Sequence, residues 1–134
     1  MIVADTNLLV YLWVRGDRTP AAEAVLIKDP VWVAPVLWRS EFRSALLHFI
    51  RRSVTTLDAA LHVTVQAERM MAGHEYSVLS RRVLSLATRS LCSAYDCEFV
   101  ALAQDLAVPL VTADEEVLKG FPAVAVRPET FVAA

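Results

Sequence analysis

The sequence predicts an α/β fold, a three-layer α/β/α domain around a parallel sheet, and two observations support this prediction. First, the chain opens on a short apolar run, Met1 to Ala4, which ends on the carboxylate of Asp5 and leads into a helical pattern over residues 7–14. Short apolar runs rich in Ile and Val are typical of buried strands. Second, further runs of this kind alternate with helical patterns, which indicates repeated parallel β-α units. Without repeats, low-complexity tracts or linkers, we expect one domain over residues 1–134.

The remaining elements follow from apolar runs and from local start and stop signals. We expect further strands at residues 31–34, 75–79, 108–112 and 123–126, with the third at the outer edge of the sheet. We expect further helices at residues 20–28, 36–52, 57–72, 80–90, 94–106 and 115–119. Side-chain caps are predicted for five helices, and Gly73 is expected to end one of them; the capping residues are Asn7 or Thr6, Thr19, Thr55 or Thr56, Ser93 and Asp114.

Composition excludes a membrane protein. Hydrophobic residues make up 56% of the chain, above the ~45–50% of ordinary domains, yet no run approaches the ~18 apolar residues of a membrane span. Met1 leads directly into the first strand, so we expect no secretion signal. Cys92 and Cys97 are too few for a disulfide framework or a four-cysteine zinc site. We therefore expect a cytoplasmic protein with both thiols reduced.

The surplus of apolar residues predicts contacts with other proteins. Trp13, Trp32 and Trp38, together with the long helices over residues 36–72, exceed what a domain of this size needs for its own core. Apolar surface left exposed usually marks an interaction site. We therefore expect an oligomer interface or a groove for a partner protein.

The charge of the chain restricts how it could bind nucleic acid. The formal net charge is −2, which argues against coating nucleic acid by bulk electrostatic attraction. Eleven of the thirteen basic residues are Arg, however, and Arg binds phosphate and carboxylate groups in a bidentate manner. The charge therefore does not exclude local contacts with nucleic acid or with an acidic peptide.

Four acidic residues lie at strand ends or helix starts, and each has a structural and a functional interpretation. Asp5 and Asp114 follow predicted strands and could simply cap the next helix. Asp96 lies three residues after Ser93, the spacing of a capping box. Glu41 lies on an apolar helix face, where a carboxylate is costly unless it is compensated, for example by a distant Arg.

Together the four acids form a pattern that caps alone do not explain. The carboxyl ends of parallel strands and the starts of the following helices meet at one edge of the sheet. Four carboxylates there would repel and raise one another's pKa values unless a cation neutralised them. Oxygen ligands without His or Cys favour Mg²⁺ or Mn²⁺. Such a site suits the hydrolysis of phosphodiesters.

Four parts of the chain together form a family pattern: Val3–Asn7, Glu41 in a long third helix, Ser93–Ala103 and Leu110–Asp114. On these residues the chain resembles the PIN-domain ribonucleases, and most closely the VapC-like toxins of toxin–antitoxin modules. The resemblance implies a five-stranded parallel sheet in the order 3-2-1-4-5, and a Mg²⁺- or Mn²⁺-dependent endoribonuclease that cuts single-stranded regions of RNA. It also implies a homodimer and a cognate antitoxin protein as partners.

The resemblance also assigns roles to individual residues. It implies that the metal ligands and catalytic residues are Asp5, Glu41, Asp96 and Asp114. It further implies that the polar side chains of Thr6, Asn7 and Thr112 orient the ligands or the attacking water. No catalytic role is expected for His48, His62 or His74.

Three alternatives compete with this function. A haloacid-dehalogenase-like phosphatase needs a second acid two residues after Asp5, and this chain has Asn7 there. A non-catalytic PIN-like interaction module would have no reason to keep four mutually repelling carboxylates. A PIN nuclease of RNA processing without an antitoxin remains open.

Overall fold

Five short parallel strands form one sheet in the order β3-β2-β1-β4-β5. The protein is described by a computed structural model covering residues 1–134. The strands are β1 (Ile2–Ala4), β2 (Trp32–Pro35), β3 (Glu75–Tyr76), β4 (Leu110–Val111) and β5 (Ala125–Val126). Val3 pairs with Val33 of β2 on one side and with Leu110 of β4 on the other, so β1 is the central strand. The predicted fold class and strand order are confirmed.

Eight helices connect and cover the strands. They are α1 (Thr6–Trp13), α2 (Thr19–Lys28), α3 (Trp38–Arg51), α4 (Leu57–Met71), α5 (Ser80–Thr88), α6 (Ala94–Leu106), α7 (Glu115–Gly120) and α8 (Pro128–Ala133). The first seven occupy the predicted positions, whereas α8 was not predicted. Its six residues bury only Pro128 and therefore leave no apolar periodicity in the sequence. No helix is long and apolar enough to cross a membrane.

The cap predictions are confirmed for α4, α6 and α7 but wrong for α1. Thr56 accepts a hydrogen bond from the amide of Ala59 in α4, and Ser93 caps α6. In α1 the capping residue is Asp5, not Thr6 or Asn7. The chain turns into the helix directly after β1, so the carboxylate of Asp5 is the group that faces the first free amide, that of Thr6.

The predicted cap of α2 is also wrong. Thr19 is the first residue of the helix, and Arg18 precedes it without a side-chain cap. The hydroxyl of Thr19 instead donates to the carbonyl of Tyr11 at 2.7 Å and accepts from the amide of Gly16 at 3.0 Å. It therefore fastens the loop between α1 and α2 to the end of α1.

The core contains two of the three tryptophans that were expected to exceed its needs. Trp32 and Trp38 are fully buried, so that expectation is wrong for both. Each indole N–H is satisfied: Trp32 donates to the carbonyl of Asp29, and Trp38 donates to the carboxylate of Glu75. Trp13 is half-buried, and its indole N–H has no hydrogen-bond partner. Trp32 and Trp38 therefore belong to the core and do not form an exposed surface.

One group of exposed apolar side chains lies on α3, α4 and their connection, while others are scattered over the rest of the surface. We call this patch the α3–α4 apolar surface; it comprises Leu47, Val54, Leu57, Leu61 and Val65, each between 42% and 64% exposed. Leu47, Leu57 and Leu61 line a shallow groove between the two helices. The α3–α4 apolar surface is therefore aliphatic rather than aromatic.

Candidate active site

The four predicted acids line one open cavity at the carboxyl edge of the sheet. Asp5 follows β1, and Asp114 lies just beyond the neighbouring strand β4. Glu41 lies in the first turn of α3, and Asp96 lies in the first turn of α6. Because β1 and β4 are adjacent at the point where the strand order reverses, their carboxyl ends open into a crevice between the helices. The cavity has a volume of about 300 Å³.

Asp5 is the most deeply buried of the four acids, with 8% of its surface exposed. Its Oδ1 accepts a hydrogen bond from the amide of Thr6 at 2.8 Å, and its Oδ2 accepts one from the hydroxyl of Thr112 at 2.7 Å. Burial raises the pKa of Asp5 to about 7, the two hydrogen bonds oppose this rise, and the charges of Glu41 and Asp96 add to it. In the absence of a cation the carboxyl group is thus poised between its two protonation states at neutral pH.

Glu41 is half-buried and is linked to Asp5 through Thr6. The hydroxyl of Thr6 donates to Oε1 of Glu41 at 2.7 Å, while the amide of the same residue bonds to Asp5. Burial raises the pKa of Glu41, as do the nearby charges of Asp96, Glu98 and Asp114. Thr6 therefore holds two of the four carboxylates.

No basic side chain neutralises this cavity. None of the ion pairs in the protein includes any of the four acids. Arg39, which is on the same helix as Glu41, instead binds Glu75 and Glu68. Compensation of Glu41 by a distant Arg is therefore contradicted.

Asp96 and Asp114 cap helices and line the cavity at the same time. Oδ2 of Asp96 accepts from the amide of Ser93, whose hydroxyl accepts from the amide of Asp96, which completes a capping box. Oδ1 of Asp114 accepts from the amides of Glu116 and Val117. Oδ1 of Asp96 and Oδ2 of Asp114 accept no hydrogen bond from the protein, so each acid keeps one oxygen for another ligand.

The predicted supporting residues join the ends of β1 and β4. Thr112 is fully buried; its hydroxyl donates to Asp5 and accepts from the side-chain amide of Asn7 at 3.2 Å and from the backbone amide of Asp114 at 3.0 Å. The side-chain oxygen of Asn7 accepts from the amide of Ala113 at 3.1 Å. One donor and two acceptor positions are all that a threonine hydroxyl offers, so the orientation of Thr112 is fully determined.

The donor set of the cavity fits a hard divalent cation. It consists of carboxylate oxygens without a thiol, an imidazole or a competing cation, which is the chemistry that Mg²⁺ and Mn²⁺ prefer. In their present conformations no three acidic, His or Cys side chains stand close enough together to enclose an ion. Mg²⁺ commonly keeps several waters and uses only one or two carboxylates directly. The distances between these acids therefore suit an ion that binds some of them through water.

The sequence alone did not indicate three further residues of the cavity wall. They are Val10 and Tyr11 on α1 and Ala45 on α3. Tyr11 lies four residues after Asn7, and Ala45 lies four residues after Glu41, so helical spacing from the polar residues would have identified both. A larger cavity of about 640 Å³ lies near the amino ends of β4 and β5 and has no acidic residue in its wall. The cavity with the acids is therefore the candidate active site.

Comparisons with known proteins agree with this description. The structure superimposes on PAE2754 from Pyrobaculum aerophilum with a TM-score of 0.75 and 18% identity, over 98% of this chain and 93% of that one. It superimposes on FitAcB from Neisseria gonorrhoeae with a TM-score of 0.75 and 15% identity, over 96% of this chain and 99% of that one. These identities indicate a shared fold alone. No protein with a curated function matches the sequence significantly.

A family assignment comes from the sequence itself. The model of the PIN domain matches residues 2–125, which is nearly the whole chain. PIN domains are generally nucleases, in keeping with an acidic cavity at the carboxyl edge of a parallel sheet. The chain belongs to the PIN-domain family.

Proposed function

We propose that the protein is a Mg²⁺- or Mn²⁺-dependent endoribonuclease that cuts single-stranded regions of RNA, and that it acts as the toxin of a toxin–antitoxin pair. The observation that carries this proposal is that Asp5, Glu41, Asp96 and Asp114 line one cavity and that no basic side chain neutralises them. A purely structural set of caps would not require two of these acids to have raised pKa values and a shared opening to solvent.

Each residue of the cavity has a role in this proposal. Asp5, Glu41, Asp96 and Asp114 would hold the metal, directly or through water. When bound, the ion supplies Lewis-acid activation of water and stabilises negative charge on the phosphate and the leaving oxygen. Thr112 and Thr6 fix the orientation of Asp5, and Thr6 also fixes that of Glu41.

The charge of the protein restricts how the proposed RNA substrate would bind. Its net charge is −2, so affinity for RNA comes from local contacts around the cavity rather than from a broad basic surface. Unpaired bases in loops and ends offer such local contacts, whereas a regular RNA duplex hides them. RNA as the substrate and two reduced, buried cysteines, Cys92 and Cys97, accord with a cytoplasmic location.

Two protein partners belong to the proposal: a second copy of the chain and a cognate antitoxin. The α3–α4 apolar surface supports the homodimer, because contiguous exposed aliphatic side chains are costly in water. Leu61→Glu should then convert a dimer into a monomer in sedimentation experiments, and a wild type that is monomeric at high concentration would contradict the dimer. The antitoxin would place a basic side chain near the uncompensated acids.

Analysis of the reaction products tests the enzymatic part of the proposal. The purified protein is incubated with structured RNA and Mg²⁺ or Mn²⁺, and the ends of the products are identified. Because activated water needs no help from the RNA 2′-hydroxyl, the products should carry a 5′-phosphate and a 3′-hydroxyl. Chelator should stop cleavage, and Glu41→Gln should abolish it, whereas Glu129→Gln, an exposed substitution on α8, should not. Cleavage that survives chelator, or a 2′,3′-cyclic phosphate, would contradict the mechanism.

Expression in cells separates the toxin from a nuclease of RNA processing. Expression of the wild type should arrest growth, and Glu41→Gln should relieve the arrest. A small protein encoded next to this chain should restore growth when co-expressed. Normal growth with an active nuclease would favour RNA processing without an antitoxin.

A further inference from the structure

A groove leads away from the acidic cavity between α1 and α3. Val10 and Tyr11 line the acidic cavity and also a second cavity of about 350 Å³ beside it. The wall of the second cavity includes Arg15 and Arg18 from the loop between α1 and α2, and Phe49 from α3. Since the two cavities share Val10 and Tyr11 in their walls, they are neighbours on this surface, and we refer to them together as the groove.

Helical periodicity gives the groove its direction and length. Asn7 and Tyr11 on α1, and Glu41, Ala45 and Phe49 on α3, follow each other at intervals of four residues and so lie along one face of each helix. At ~1.5 Å per residue, the distance from Glu41 to Phe49 along α3 is ~12 Å. Stacked nucleotides repeat every ~3.4 Å, so the groove is long enough for about three of them.

Next to the acidic cavity, the groove combines an aromatic ring with a cation. The guanidinium carbon of Arg18 lies 5.3 Å from the centroid of the Tyr11 ring. Arg18 is exposed and forms no ion pair, while Arg15 has only an exposed contact of 3.4 Å with Glu23. Asp17 is the only acid in the wall of this second cavity. The groove therefore begins at carboxylates and ends at two arginines.

We propose that Tyr11 and Arg18 form a binding subsite for a nucleotide of single-stranded RNA adjacent to the cleaved phosphodiester. This inference rests on the proposed nuclease function. Single-stranded bases stack on aromatic rings and guanidinium planes, and Arg also binds phosphate in a bidentate manner. RNA is the favoured occupant because its scissile phosphate has to lie at the acids, and its neighbouring nucleotides then enter the groove.

The position of Tyr11 is well suited to such a subsite. Its backbone carbonyl accepts the hydroxyl of the buried Thr19, so the end of α1 and the loop that carries Arg18 are tied together. The Tyr11 side chain is half-buried, which leaves one part of the ring packed on the protein and another part open to the groove. Because Tyr11 is already held in place, little conformational entropy is lost when a base stacks on its ring.

Affinity measurements test the subsite directly. A short fluorescein-labelled single-stranded RNA of mixed sequence is titrated in Mg²⁺ against the full chain carrying Glu41→Gln, which removes turnover. On this background Arg18→Ala and Tyr11→Leu should each weaken binding about tenfold, as expected for the loss of one stacked base. Arg18→Lys keeps the charge but loses the planar group, and it should show an intermediate loss. Tyr11→Phe should retain near wild-type affinity.

A matched control separates the subsite from general electrostatic attraction. Arg69 is exposed at the end of α4 and lies outside both cavities. Arg69→Ala removes the same charge and should leave the affinity near that of the background protein. Arg18→Ala should also reduce the slope of log Kd against log salt by about 0.7, the value for one phosphate contact in a single strand.

Several results would overturn the inference, and they differ from a failure of the proposed function. Equal losses for Arg18→Ala and Arg69→Ala, or no loss for either, would exclude a subsite at Tyr11 and Arg18. Groove variants that keep their RNA affinity but lose binding of a partner protein would assign the groove to a peptide and overturn the inference. If instead the wild type cleaves no RNA in any divalent ion, the nuclease proposal fails, while a selective loss of RNA binding in Arg18→Ala still supports the subsite.

Discussion

The hydroxyl of Thr112 donates a 2.7 Å hydrogen bond to Oδ2 of Asp5 and so joins the residues that follow β4 and β1, the two neighbouring strands of the sheet. Both side chains are buried, and the same hydroxyl also accepts from Asn7 and from the amide of Asp114. This single hydroxyl therefore connects three of the residues that the sequence placed in the site. It is the point at which the fold and the candidate chemistry depend on each other.

Thr112→Val should destabilise the protein, although it preserves the shape of the side chain. It leaves Oδ2 of Asp5, the side-chain NH₂ of Asn7 and the backbone amide of Asp114 without their bond to the hydroxyl, and a buried polar group left unsatisfied costs about 1–3 kcal/mol. Urea denaturation should show this loss in the free energy of unfolding, whereas Thr112→Ser, which keeps the hydroxyl, should lose much less. Because the hydrogen bond lowers the pKa of Asp5, Thr112→Val should also raise that pKa further. Equal stability of the Val and Ser variants would show that the network contributes little.

The metal-free protein should become less stable as the pH rises through neutrality. The pKa of Asp5 is 3.8 for the unperturbed group and about 7 in the folded protein. The folded state therefore binds this proton more tightly, and the stability contributed by Asp5 declines from about pH 4 until the group is ionised above pH 7. The difference corresponds to an upper limit of ~4 kcal/mol.

Asp5→Asn isolates this contribution. The free energy of unfolding is measured in chelator at several pH values. It should fall with rising pH in the wild type, and this fall should be much smaller in Asp5→Asn. The raised pKa of Glu41 acts in the same direction and should remain in both proteins. Parallel stability profiles for the two proteins would mean that Asp5 is ionised at lower pH than its burial indicates.

Divalent cations should raise the melting temperature of the protein. A ligand that binds only the folded state stabilises it in proportion to the logarithm of its concentration over Kd. Millimolar Mg²⁺ or Mn²⁺ should increase the melting temperature of the wild type strongly and that of Asp5→Asn only slightly. Asp58→Asn, an exposed acid on α4 outside the cavity, serves as the control and should respond like the wild type. Equal increases in all three proteins would contradict a shared metal site.

Much of the fold could be predicted because its determinants are local. The buried runs at Ile2–Ala4 and Trp32–Pro35 are apolar throughout, and the caps Thr56 and Ser93 follow from residue type and spacing. The order of the strands, by contrast, came from resemblance to a family, because pairing between strands distant in sequence leaves no local signal. The short helix α8 was missed for a related reason, since it buries only Pro128.

The acidic residues of the site could be predicted from the sequence, but the contacts that surround them could not. Carboxylates at strand ends are visible in the sequence, and Asp5 and Asp114 were identified in this way. The role of Thr6 in bonding to both Asp5 and Glu41 depends on the packing of α1 against α3, which no spacing in the sequence indicates. The pairing of Tyr11 with Arg18 likewise depends on how the loop after α1 folds back.

Asp96 and Asp114 allow the structural and the catalytic roles of one side chain to be separated. Each caps a helix with one oxygen and presents the other oxygen to the cavity without a protein donor. Asn serves as an N-cap about as well as Asp, which applies to Asp114, and the side-chain oxygen of Asn can also accept the capping-box bond that Asp96 makes to the amide of Ser93. Asp96→Asn and Asp114→Asn should therefore be neutral or stabilising in metal-free buffer, since each removes a charge from an acidic cavity. Both should nevertheless abolish RNA cleavage, because the removed charge is what binds the cation.

The alanine variants supply the contrast. Asp114→Ala also removes the N-cap of α7 and should cost about 1 kcal/mol of stability on top of the same loss of cleavage. Asp96→Ala removes the capping-box bond to the amide of Ser93 and should destabilise the protein as well. Ser93→Ala is the matched control, because it disrupts the capping box of α6 but leaves the carboxylate of Asp96 in place. It should lower the melting temperature yet retain cleavage at temperatures where the protein is folded. If Asp96→Asn unfolds the protein, or if it cleaves RNA as well as the wild type does, Asp96 is a cap and not a ligand.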